Sequence, residues 1–274
     1  MKDRFMQTGD FVVYNLINQV LKLNTIYQRV IIFTFFFTLF LINSSRLLSQ
    51  IEDENVSYQA WLDYNAKCHI SKKFKIYGDV GYRKISPNIW TRYYIRPAVS
   101  YLQSIPLKSG KYLLLTYHAG LGTFFTNSTD TSNNTEIRPF QGVDVQWPTF
   151  KRLRINHYVR LEEQFYFANN SQSFDLRLRY MFSGIFHWNK ENWNVMNNFY
   201  LPFHIELFWN LLNSSNTSNL IRITPGIGYT FNLKWKMEFS TSYHRNQIEI
   251  TDAIETNNIV FRFRVYHNIF KKIK

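Results

Sequence analysis

Arg152-Leu-Arg-Ile-Asn-His-Tyr-Val-Arg-Leu-Glu-Glu-Gln-Phe-Tyr-Phe167 alternates apolar side chains with charged, amide or phenolic ones along its whole length. On an extended backbone successive side chains point to opposite faces, so Leu153, Ile155, Val159, Leu161, Phe165 and Phe167 share one side. Arg154, Asn156, Tyr158, Arg160, Glu162 and Gln164 share the other. A strand this long, with one apolar and one ionic face, fits a transmembrane β-barrel once the apolar face is turned outward.

Outward from this stretch the same texture covers most of the chain. Candidate strands are read near residues 55–66, 74–85, 90–103, 111–126, 135–147, 152–168, 172–188, 193–210, 219–231, 234–247 and 257–270. Most exceed the five or six residues usual in soluble proteins and reach the roughly 9–11 needed to cross a bilayer at a tilt. Single-chain bacterial barrels normally carry an even number of strands, so these segments predict ten or twelve. Tight connections at 148–150, 189–192 and 232–233 alternate with longer ones, rich in Asn, Ser and Thr, at 127–134, 211–218 and 248–256. Short periplasmic turns and longer outer loops would give that alternation an orientation.

The first fifty residues differ. Val30 to Ile42 is apolar, follows Lys22 and Arg29, and gives way to Asn43-Ser44-Ser45 and Leu47-Leu48-Ser49-Gln50. That pattern predicts a signal peptide over residues 1–50, with a long n-region and cleavage near Ser49, ahead of a barrel domain over 51–274. The apolar run is short of the roughly 20 residues a helical span needs. Removing the leader lowers the net charge from +13 to about +10. For an exported basic chain this points to acidic lipids, polyanionic sugars or small anions, and away from nucleic acid. The lone Cys68 cannot form an internal disulfide, which leaves the ladder to hold the fold. A mean hydropathy of -0.28 gives no sign of helical spans, and barrels cancel in such averages.

With the apolar face outward, the lipid belt contains Tyr93, Ile95, Val99, Leu113, Leu115, Ile137, Val143, Val145, Leu176, Leu178, Phe182, Leu201, Phe203, Leu207, Ile221, Ile223, Met237, Phe239, Phe261, Phe263 and Val265. Trp90, Tyr101, Trp147, Trp209, Tyr229 and Trp235 fall near strand ends, where interfacial girdles form. The opposite face lines the lumen with Arg83, Arg92, Arg96, Arg138, Arg154, Arg160, Arg177, Arg179, Arg222, Arg262 and Arg264. Asp79, Glu136, Asp144, Glu162, Asp175 and Glu206 are their candidate partners. Arginine outnumbers carboxylate, and an unpaired guanidinium in a dry lumen is costly. Two readings follow: ion pairs that fill a narrow barrel in a structural or interaction protein, or a basic passage for acidic solutes or oligosaccharides. A soluble sandwich or lipocalin-like barrel with its apolar face inside shares the alternation. The leader, the strand length and the aromatic content favour the membrane.

The stretches Arg92-Tyr-Tyr-Ile-Arg96-Pro97, Glu136-Ile-Arg138-Pro139-Phe140-Gln141, Arg152 to Glu162, Arg177-Leu-Arg179-Tyr180 and Glu206-Leu-Phe-Trp-Asn210 resemble, in order, the DUF2490 family. The resemblance covers most of the chain after the leader. It implies an exported, porin-like outer-membrane β-barrel of Bacteroidetes-like bacteria and supplies no activity or catalytic residues. The aromatic finish at Phe270 is similar to that of many barrels, although Lys271-Lys272-Ile273-Lys274 follows it.

Catalytic signals are thin. Some outer-membrane barrels are lipid hydrolases that place a His and a Ser on the lipid side, and the alternation turns His157 and His267 outward. Neither has a Ser at same-face spacing on its own strand, although Glu163 shares a face with His157. His204 and Glu206 share the inner face at i, i+2 spacing, two ligand types without a third. No phosphate-binding loop, dinucleotide fingerprint or Cys-x-x-Cys pair occurs, so no cofactor or resident metal is expected. The sequence therefore predicts an all-β, antiparallel, up-and-down transmembrane barrel of ten to twelve strands in the cell outer membrane, of uncharacterised function and no expected enzymatic activity. A lipid-modifying enzyme is the more distant alternative. Its expected partners are outer-membrane lipid, the barrel-assembly machinery and small anionic solutes.

Overall fold

The computed structural model describes residues 56–86, 90–128, 133–168, 171–188, 196–212, 220–246 and 256–269. The expected signal peptide and Phe270 lie outside these residues. The described residues form eleven strands: β1 Val56–His69, β2 Phe74–Ser86, β3 Trp90–Pro106, β4 Tyr112–Ser128, β5 Asn134–Gln146, β6 Leu153–Ala168, β7 Ser171–His187, β8 Asn198–Asn210, β9 Leu220–Thr230, β10 Trp235–Asn246 and β11 Thr256–Ile269. Each pairs with its neighbours in sequence, and β1 pairs with β11 to close the barrel.

Closure corrects the expected count. Strands that alternate up and down bring the eleventh back in the direction of the first, so the seam between β1 and β11 is parallel, running from Val56 opposite Asn257 to Cys68 opposite Ile269. All other pairs are antiparallel. A parallel ladder satisfies the same donors and acceptors with slanted bonds, which lets an odd number close without an edge.

Turns at one rim are built from local chemistry. Phe150 and Leu153 exchange backbone bonds of 3.0 and 2.9 Å across Lys151, whose φ is 49°. Gly110, at φ 74°, closes the turn between β3 and β4, and its N–H donates to Leu107 at 3.0 Å. The Asn232 side chain accepts from the N–H groups of Lys234 and Trp235 at 2.8 and 2.9 Å. The alternation of short and long connections expected from sequence does not hold. The β6–β7 connection is only 169–170, and β7 and β8 are joined by 188–197 instead of a tight 189–192 turn. Asn197 adopts a left-handed φ of 56°, which interrupts extension and delays β8 to Asn198.

The face assignment is unambiguous in the packing. Ile95 and Val159 on the outside are 51% and 46% exposed, whereas Asp79 and Glu162 on the inside are 4% and 0% exposed. Among the described strand positions, outward parity carries charge only at Lys84, Glu163 and Arg245.

Aromatic side chains gather outside at both rims. At the turn rim Phe74 meets Tyr101 with ring centroids 5.1 Å apart, Phe199 meets Tyr229 at 4.7 Å, and Trp235 stacks on His267 at 3.9 Å. At the other rim Tyr82 meets Tyr93 at 5.1 Å and Phe165 meets Phe174 at 4.8 Å. From Tyr93 to Tyr101 the β3 strand covers about 26 Å at ~3.3 Å per residue. That leaves about 20 Å of height at a tilt of ~40°. Trp90, expected in a girdle, instead shares the inward face with Arg92, whose guanidinium lies 5.1 Å from its ring. Its even position follows Arg92, Tyr94 and Arg96.

Inside, aromatic rings lie flat against glycines in the wall. A Cβ on Gly81 would come within 2.3 Å of the Tyr94 ring, one on Gly120 within 2.5 Å of Phe140, and one on Gly228 within 2.1 Å of Tyr200. Each ring is the direct cross-strand partner of its glycine. The missing side chains make room for rings that would otherwise stand into the lumen. Gly228→Ala is expected to lower stability by about 1–3 kcal/mol through overpacking. Gly78→Ala, whose Cβ would sit 3.5 Å from its nearest neighbours, is expected to stay within about 0.5 kcal/mol of the parent. Guanidinium unfolding in detergent, followed by tryptophan fluorescence, checks both.

Candidate functional site in the barrel interior

Alternation on β5, β6 and β7 puts Glu136, Arg138, Arg160, Glu162, Gln164 and Arg177 on the inner face of three adjacent strands, and the register makes them neighbours. Glu162 is the hub. One of its oxygens accepts from Arg177 Nε at 2.8 Å and from Arg177 Nη2, with Arg138 Nη1 at 3.4 Å, and its other oxygen pairs with Arg160. Glu136 accepts from Arg138 Nε at 2.7 Å. Gln164, with its amide oxygen turned to the arginines, accepts from Arg138 at 3.0 Å and Arg177 at 3.2 Å and donates to the Tyr166 hydroxyl at 3.1 Å. Phenyl rings floor the cluster: Arg138 lies 4.4 Å from Phe124, and Arg160 4.9 Å from Phe140. A guanidinium stacks on an aromatic face while its edge donates to carboxylate, which is why this packing uses arginine.

Four further carboxylates continue around the wall. Asp79 accepts from Arg96 through two bonds of 2.9 and 2.5 Å. Asp63 accepts the Tyr94 hydroxyl at 2.6 Å and pairs with Arg262, with Arg264 at 3.6 Å. Glu206 pairs with Arg179 and lies 3.7 Å from Arg222, whose guanidinium also sits 4.5 Å from the Phe208 ring. Glu238 lies 3.6 Å from Arg264 and 3.4 Å from the Tyr266 hydroxyl. Arg83 stacks on Trp61 at 3.9 Å and on Tyr94 at 4.7 Å.

A cavity of about 490 Å³ occupies the remaining interior. Its lining runs from Lys67, Lys75, Arg154 and Lys236, near the turn rim, to Arg83, Arg222 and His244, within three residues of the strand ends at the opposite rim, and it includes Arg160 without Glu136 or Glu162. Eleven lysines and arginines line it against four carboxylates.

Of the arginines read as lumenal, Arg83, Arg96, Arg154, Arg160, Arg179, Arg222, Arg262 and Arg264 line this cavity, and Arg138 and Arg177 bind Glu162. Arg92 donates to Thr126 at 2.7 Å and makes no close carboxylate pair among the described residues. Asp175 is turned to its own backbone and accepts the Leu176 N–H at 2.8 Å. Asp144 is held by the Asn156 amide at 3.3 Å. Sequence reasoning missed Asp63 and Glu238. Glu238 stands between Met237 and Phe239, whose outward placement implies its inward one. Asp63 is masked by Trp61, an apolar residue on the inner face.

Both histidines read as outward sit in the turn-rim girdle. His157 Nδ1 is 2.7 Å from the Tyr180 hydroxyl, and His267 Nδ1 is 2.7 Å from the Tyr64 hydroxyl. His204 faces the cavity with no hydrogen-bond partner for either ring nitrogen, and Glu206 beside it is engaged by its arginines. Among the described residues no three His, Cys, Asp or Glu side chains converge as a metal site.

Glu162→Gln leaves Arg138, Arg160 and Arg177 around a neutral amide in a fully buried position. The expected loss is about 3–5 kcal/mol, as for removing one partner of a buried ionic cluster. Asp144→Asn keeps an acceptor for the Asn156 amide and breaks no close ion pair among the described residues, and is expected to cost about 1 kcal/mol. Parallel denaturant titrations of the two variants check the contrast.

No curated protein and no solved structure matches the chain. Residues 58–258, which span the barrel from β1 into β11, match the family model described as a protein of unknown function, DUF2490. The chain belongs to the DUF2490 family.

Proposed function

We propose that this chain is an outer-membrane β-barrel whose lumen is filled by ion pairs through one part of its length, serving a structural or interaction role in place of bulk transport. One observation carries the reading: a closed ladder with an apolar outer belt between two aromatic girdles and an ionic interior. In water such a surface would expose far more contiguous apolar area than soluble monomers tolerate, whereas in hydrocarbon it is the matched face. The Glu162 hub supports the filled lumen, because opening a path there would separate three guanidiniums from one buried carboxylate.

A second reading, a narrow anion-favouring pore, draws on the excess of cations along the cavity. Bilayer recordings divide the two. A filled barrel is expected to pass no steady current. Anion-selective conductance that falls on Arg179→Glu would replace the first reading with the second.

The membrane assignment has its own check. The expressed chain is expected in the outer-membrane fraction, with unheated and boiled samples migrating differently on a gel. A soluble periplasmic product without that shift would overturn it.

A further inference from the structure

Arg96, Arg160, Arg179, Arg222, Arg262 and Arg264 of the cavity have carboxylate partners and Arg83 stacks on Trp61 and Tyr94, but the lysines at the turn rim have no close carboxylate partner among the described residues. Lys67, Lys75 and Lys236 point inward within two residues of the turn-rim ends of β1, β2 and β10, and none forms an ion pair with a described residue. Lys236 lies 6.0 Å from the Tyr200 ring and feels Glu238 on its own strand without forming a close ion pair with it. Arg154, second residue of β6, faces them across the opening. These charges act on one another: Lys67 feels Lys236, Lys75 and Arg154, and Lys236 feels Arg154. Asp144 is the carboxylate of this upper layer: Asn156 donates to it and it attracts Lys75 and Arg154, so one negative charge stands among four positive ones. Deeper in the same cavity, His204 presents two ring nitrogens without partners.

A ring of like charges around a water-accessible opening is unfavourable unless an anion shares it. The residue type narrows the anion. Arginine offers a planar fork matched to carboxylate, and this barrel uses it for that purpose around Asp79 and Glu162. Lysine is a compact point charge with three freely rotating donors, suited to a tetrahedral group approached from several sides. A singly charged carboxylate would leave the ring strongly positive, whereas a doubly charged group neutralises more of it. A cavity of about 490 Å³ is within the ordinary range for small-molecule sites.

We propose that Lys67, Lys75 and Lys236, with Arg154, form a binding site for a doubly charged tetrahedral oxyanion, a phosphate or sulfate group carried by a soluble solute that enters from the turn rim. The proposal rests on the filled-barrel reading, in which the solute is held in the cavity and does not pass through the barrel.

The test is calorimetric titration of the purified full chain in a zwitterionic detergent with inorganic phosphate, sulfate and acetate at constant ionic strength. Gel heat-modifiability is read on the same samples. Phosphate and sulfate are expected to saturate one site, with acetate at least about tenfold weaker. Lys67→Gln and Lys236→Gln are each expected to weaken phosphate about tenfold, the scale of one charge-assisted hydrogen bond, while keeping the gel shift. Lys108→Gln, on the exposed turn at the same rim, is expected to bind as the parent does. Equal binding of acetate, an equal loss in the Lys108 variant, or no saturable heat overturns the site. So does binding to phosphatidate vesicles with none to inorganic phosphate. Loss of the gel shift in the parent protein would instead overturn the barrel reading beneath it.

Discussion

Closure of the hydrogen-bonded ladder is the constraint on which everything else rests. Eleven strands leave no edge only because β1 and β11 accept a parallel seam, with thirteen residue pairs from Val56–Asn257 to Cys68–Ile269. Once the ring is closed, every strand has one face toward a confined interior and one toward the surroundings, and the two-residue period of the sequence decides which groups go where. The chain has placed its ions where space is limited and its hydrocarbon where it is not, the inverse of a soluble core.

Filling that interior required compromise between volume and charge. Flat rings against Gly81, Gly120 and Gly228 occupy the wall side of the lumen, and guanidiniums cover the first two of them. Such layers exchange desolvation cost for stacking and charge-assisted bonds, and three carboxylates serve more than one arginine: Glu162 serves three, Asp63 and Glu206 two each. Sharing explains how the interior holds more arginine than acid. It does not extend to the lysines of the turn rim, which share the cavity with the arginines but make no close ion pair among the described residues.

Much of this was legible in the alternation. Arg154, Tyr158, Arg160 and Glu162 against Leu153, Val159 and Leu161 reveal both faces of β6 without any knowledge of its neighbours, and the same period places Arg262 and Arg264. The seam was not legible, because alternation says nothing about which strand meets which, and the expectation of an even number displaced the eleven segments that the pattern itself contained. Pairings were hidden for a related reason. That Arg138 lies between Glu136 on its own strand and Glu162 on the next depends on register and side-chain reach, neither of which is written in a two-residue period. Trp61 shows the remaining difficulty: an inward aromatic that carries Arg83 reads like an outward one, and it conceals Asp63 behind it.

The odd strand number also fixes sidedness. Val56 begins the wall at one rim and Ile269 completes it at the other, so in a membrane the polypeptide entering β1 and that leaving β11 belong to different compartments. An even barrel returns both to one side and can be assembled with its ends retained there. A barrel of this kind set in a bilayer would need one end of its wall delivered across as the wall forms, so labels placed beside Val56 and Ile269 would report opposite faces of the same intact molecule.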